Sequence, residues 1–72
     1  MHMPVSEAQT IVFECLRKVA PKDLSIEEIA NVTGFHRNTI SKYVYGLEMK
    51  GKIVKTREVG RAKFYSIETK TR

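Results

Sequence analysis

Residues Leu24 to Ile53 read "LSIEEIANVTGFHRNTISKYVYGLEMKGKI", two apolar-striped segments on either side of a glycine-containing turn. The first segment carries a strong helix-start signal. Ser25 and Glu28 stand three apart, so the serine hydroxyl can accept from a free N–H of the first turn while the glutamate reaches back to the serine N–H. Leu24 and Ile29 are spaced for a hydrophobic staple across that start. Ile26, Ile29 and Ala30 supply a short buried face. Thr33-Gly34 stops it, because Gly34 tolerates the left-handed conformation that helix ends often adopt.

The second segment predicts a helix from about Arg37 to Lys50, ended by Gly51. Ile40, Val44 and Leu47 recur at i, i+4 and i+7 and pin one side to a core, with Met49 closing its base. The opposite side presents Arg37, Ser41 and Tyr45 in one i, i+4 row and Asn38 and Lys42 in another. Such a face is either ordinary solvated surface or a surface shaped for a groove.

Working outward, Ser6 is expected to open a first helix, with Gln9 completing a second capping box. Ala8, Ile11, Val12, Cys15, Leu16 and Val19 then form one wide apolar face, and Pro21 ends the helix. Beyond Gly51, "KIVKTR" (52–57), a turn at "EVGR" (58–61) and "AKFYSIE" (62–68) predict a β-hairpin. Tyr65 and Ile67 share one face of its second strand, with Phe64 opposite. One domain over 6–68 is expected, with flexible termini at 1–5 and 69–72 and "MHM" a cloning remnant.

Size and composition narrow the function. A chain of 72 residues hides only about 60% of its unfolded surface, which leaves no room for a cofactor cavity on a catalytic scaffold. No nucleophile–base pair and no glycine-rich phosphate loop is present, and Glu27-Glu28 belongs to a helix start, so no enzyme is expected. Cys15 stands alone as a small core hydrophobe. His2, Cys15 and His36 have no metal-ligand spacing, so neither metal nor cofactor is expected. No apolar run approaches the ~20 residues of a membrane span and no signal peptide is visible. A cytoplasmic protein without membrane attachment is the expectation. The charge is more telling. Residues 1–35 hold three Lys/Arg and five Asp/Glu, giving −2, and residues 36–72 hold ten and three, giving +7. A basic half on a mildly acidic one is the footprint of a polyanion partner or, more blandly, a solubilising surface.

Helix, glycine turn, polar-faced helix and basic hairpin, in that order from Ser6 to Glu68, resemble the winged helix-turn-helix family of DNA-binding domains. "GRAKFYSI" (60–67) is similar to the return strand of the wing in bacterial and archaeal regulators. The resemblance implies an α+β fold, with a three-helix core followed by a two-stranded β-hairpin wing. It also implies double-stranded DNA as partner and transcriptional regulation as the task, in the cytoplasm or on a nucleoid. The residue chemistry is compatible. A helix about 10–12 Å across matches the ~12 Å major groove. Arg37 suits guanine, Asn38 adenine, Ser41 either, and Lys42 guanine or phosphate; Tyr45 completes that face. Thr39, in the first turn, offers a hydroxyl to a phosphate at the helix N-terminus.

Arg57, Arg61 and Lys63 flank Gly60 near the hairpin tip, placed for phosphates or the minor groove. Their alternative role is protection of a sheet edge, and Glu58 weakens the local field. His36 departs from the family, which commonly has a small capping residue there. Tyr43 either packs beside Val44 or offers its hydroxyl to a phosphate, and Tyr65 belongs to the core. The Z-DNA-binding subgroup also places a tyrosine where Tyr45 stands. It uses Asn where this chain has Ser41, and its wing carries prolines and a tryptophan absent here. The competing function is a protein-docking module of a larger assembly. A homodimer through the first helix, or attachment to a longer regulator, is compatible with either.

Overall fold

The Ser25–Glu28 capping box organises the middle of the chain. In the computed structural model, which describes residues 5–68, Ser25 Oγ accepts from the Glu28 N–H at 3.1 Å, and Glu28 Oε1 accepts from the Ser25 N–H at 2.9 Å. Among these residues the elements run α1 (Val5–Val19), β1 (Leu24–Ser25), α2 (Ile26–Thr33), α3 (Arg37–Met49), β2 (Ile53–Val59) and β3 (Ala62–Ile67). Gly34 ends α2 at φ 85°, its N–H bonded to the Ala30 carbonyl at 2.8 Å. That left-handed residue turns the chain directly into α3.

The helices meet on one core. Val12 and Leu16 of α1, Ile29 of α2, Ile40, Val44 and Leu47 of α3, and Ile53 and Tyr65 of the sheet are buried together. Each such side chain contributes about 1.5–3 kcal/mol on full burial. Met49 is not among them. It is 87% exposed, because two residues beyond Leu47 lie about 200° further round the helix, away from the core. Ile53, just past the helix, is buried in that core.

Helix α1 starts by Val5, ahead of the expected Ser6, and the Ser6 hydroxyl lies outside the described side chains. The Gln9 side chain is engaged across the fold. It is buried, and its Oε1 accepts from Lys50 Nζ at 3.0 Å. Of the expected termini, 1–4 and 69–72 lie outside the described residues, whereas Val5 belongs to α1. No helix of the described residues is long and apolar enough to cross a membrane.

The sheet has three strands, not two, in the antiparallel order β1-β3-β2. The extra strand pairs Leu24 with Tyr65 and Ser25 with Phe64. Two residues are too few to show an alternating pattern, and both had a helix-start role that concealed the strand. β2 and β3 pair from Ile53↔Ile67 out to Val59↔Ala62, so the turn narrows to Gly60-Arg61. Gly60 takes φ 59°, the positive value that the first residue of a Gly-X hairpin turn requires. A bulge between Lys55 and Arg57 leaves Thr56 as the extra residue.

Candidate nucleic-acid interface

Helix α3 opens with an unusual cap. His36 adopts extended backbone angles (φ −66°, ψ 146°), and its Nδ1 accepts from the Asn38 N–H at 3.1 Å. The imidazole thereby does the work that a serine or aspartate oxygen does elsewhere. Neutral His36 then carries its proton on Nε2, which leaves an N–H donor at the exposed ring edge. Phe35, just before the cap, meets Tyr43 edge-to-face at 6.1 Å, so that tyrosine's ring packs against the turn.

The N-terminal half of α3 faces the wing across an open cleft of about 620 Å³. Arg37, Asn38 and Ser41 form one wall, and Arg61 and Lys63 belong to the other. Five of the nine residues singled out in the sequence therefore come together. Thr39 is half-buried outside the cleft lining, while exposed Lys42 and Tyr45 continue the outer side of α3 beyond it. The start of α2 closes the cleft through Ser25, Ile26 and Glu27, residues whose helix-start pattern gave no hint of this. Glu27 lies 4.0 Å from the Arg37 guanidinium, a loose and exposed pairing.

Charge pairing sorts the cations. Arg17 is bonded to Glu14, and Lys55 is bonded to Glu58 at 3.2 Å. Glu58 is thus turned onto a lysine, which tempers the opposition to the wing field expected of it. Among the described residues, Lys42, Arg61 and Lys63 make no ion pair with a carboxylate. Arg57 stands apart from the cleft lining. Its Nε donates to Asp23 Oδ2 at 3.0 Å, and its guanidinium lies 4.1 Å above the Phe64 ring. The Thr56 hydroxyl and then Arg57 hold the Asp23 carboxyl below its ordinary range.

No family model matches the chain, and no curated protein matches it. A solved structure does. It is described as giving insights into the DNA recognition and protein interaction domains of HOP2 and the homologous DNA pairing properties they reveal. The two superpose with a TM-score of 0.69 at 20% identity, over 85% of this chain and 98% of that one. The fold is a winged helix. In this winged helix the wing is the β2–β3 hairpin, and β1 ties its root to the start of α2. No cluster of three or more metal-ligating side chains is found among the described residues.

Proposed function

We propose that this winged helix binds double-stranded DNA, with α3 in the major groove and the wing against the flanking backbone. The observation that carries the proposal is the shared cleft, where Arg37, Asn38 and Ser41 of α3 face Arg61 and Lys63 of the wing. Arg37 and Asn38 have the donors and acceptors that discriminate guanine and adenine, with Lys42 and Tyr45 extending the contact along the helix. Thr39, Arg61 and Lys63 take phosphates, which position the protein without reading sequence. The +7 balance of residues 36–72 supports the same assignment. Sequence-specific regulation of transcription, of the bacterial or archaeal kind, is the task we assign to this binding.

A second reading, a docking surface for another protein, has one observation in its favour. Tyr45 is 55% and Met49 87% exposed on the outer side of α3, so its C-terminal half offers apolar surface. The HOP2 structure is itself described by both DNA recognition and protein interaction.

A salt titration of binding to a mixed-sequence B-form duplex, beside a left-handed duplex and a single strand, separates the two. Four or more neutralised phosphates give a log–log slope of about −4 or steeper, the outcome expected here. No duplex binding at about 50 mM salt would overturn the DNA reading and favour docking.

A further inference from the structure

We infer that Asp23 is a positioning residue for the wing: its carboxylate straps the outer strand of the sheet to the start of α2, and so sets where Arg61 and Lys63 stand relative to Arg37 and Asn38. The inference deepens the proposed DNA binding and rests on it for its functional consequence.

Topology makes this strap unusual. Asp23 directly precedes β1, and the order β1-β3-β2 puts a whole strand between β1 and β2. The carboxylate nevertheless holds β2. Thr56 Oγ1 donates to Asp23 Oδ2 at 2.6 Å, Arg57 Nε donates to the same oxygen at 3.0 Å, and Arg57 Nη2 reaches Oδ1 at 3.5 Å. Thr56 is the bulged residue, the one the ladder leaves over. Arg57 crosses β3 by lying on Phe64, the residue that pairs with both Arg57 and Ser25. A further tie runs from Ser66 Oγ to the Lys22 carbonyl at 3.3 Å.

An exposed ion pair usually contributes little. Asp23 differs because its side chain is only 21% exposed and it takes donors from two residues, both on Oδ2, with Arg57 also reaching Oδ1. Its location gives that rigidity a consequence. β1 pairs only as far as Phe64, so beyond Arg57 the wing is a two-stranded ribbon, the sheet form with the largest twist and no third strand to brace it. Arg61 stands opposite Gly60 in the turn, about three residues along the ribbon from Arg57, a lever of about 10 Å. A tilt of the ribbon by about 15°, no larger than the natural spread of strand–strand angles, would move the tip by about 3 Å. That displacement exceeds what a hydrogen bond to a phosphate tolerates. The strap thus exchanges a phosphate contact by Arg57 for a fixed position of Arg61.

The two roles for Arg57 predict opposite signs. If Arg57 were a phosphate contact held back by Asp23, Asp23→Asn would remove a repulsive carboxylate, free a cation and tighten binding. As a strap, Asp23→Asn loosens the wing. We expect binding of the full chain to a mixed-sequence duplex to weaken about fivefold with an unchanged salt slope, and Asp23→Glu to retain most of the affinity. Arg61→Gln should then cost less in the Asp23→Asn background than in the wild type, because an already misplaced tip has less to lose. Thr56→Val, a milder lesion, should move in the same direction and covers the case in which Asp23→Asn does not fold. Tighter binding by Asp23→Asn, or strict additivity with Arg61→Gln, overturns the inference. If the wild type binds no duplex, the DNA reading fails on its own. Amide shifts then judge the strap: Gly60 and Arg61 should move on Asp23→Asn while Val12 and Leu16 stay, and an unmoved tip rejects it.

Discussion

Gln9 and Lys50 are joined by a 3.0 Å hydrogen bond that crosses from α1 to α3 over a helical glycine. A Cβ added at Gly46 would overlap the Gln9 Nε2, so the glycine is what lets the amide lie flat between the helices. Gly46 therefore carries a coupled cost. In an exposed helix, Gly→Ala is worth about 1 kcal/mol of stability. Here the methyl must displace a buried amide and its bond to Lys50, which costs about as much. Gly46→Ala is expected to bring no net gain in the wild type and about 1 kcal/mol in a Gln9→Ala background. Urea denaturation of the four proteins measures the difference, and equal effects in both backgrounds would refute the coupling.

His36 supplies the second test. Its Nδ1 satisfies the Asn38 N–H at the start of α3, so His36→Ala should destabilise the fold by about 1 kcal/mol, the usual worth of a cap. His36→Ser should restore that loss, since a hydroxyl accepts from the same N–H. Thermal melts of the three proteins decide it. Equal stability of the alanine and serine variants would mean that the cap bond contributes nothing.

These tests fall at places of very different legibility in the sequence. Ser25, Glu28 and Gly34 were readable because each acts on neighbours within four residues, and the Ile40, Val44, Leu47 row because a helix repeats. The strand at Leu24-Ser25 was not readable. Its partner is some forty residues away, and the same two residues already satisfied a helix start. Hydrophobicity alone points Met49 at the core, against its angular position on the helix, and the residue is exposed. The cleft divides in the same way. Arg37, Asn38 and Ser41 follow from helix periodicity, whereas the approach of Glu27 to Arg37 depends on how α2 packs on α3. Arg57 looked like a tip cation because nothing local marks the bulge that turns it to Asp23.

Within the proposed interface, the residues of the α3 wall and the wing should fail differently. Arg37→Ala and Lys42→Ala should each weaken binding by about 1–3 kcal/mol at a preferred site, with smaller losses on unrelated duplexes, if each meets a base edge. Arg61→Ala should weaken all sequences alike and lower the salt slope by about one phosphate's worth. Competition binding on a selected site and a scrambled one, each across a salt series, gives both quantities. Undiminished binding by all three variants would remove α3 and the wing from the contact.

Acid should release the wing strap in a defined direction. The Thr56 hydroxyl, then Arg57, hold the Asp23 carboxyl below its ordinary value. A carboxyl depressed in the folded state binds protons less readily there than in the unfolded chain. Its contribution is therefore fully present above the unfolded-state pKa of about 3.9 and is lost as pH falls through the lower folded value. The stability gap between the wild type and Asp23→Asn should be constant from neutral pH down to about pH 5 and then close on further acidification. Comparing the two proteins matters, because Glu14 is also depressed, by Arg17, and its titration is common to both and cancels. Denaturation at stepped pH reads the gap directly. A gap that persists unchanged to about pH 2 would show that the ionised carboxylate is not what holds Thr56 and Arg57 in place.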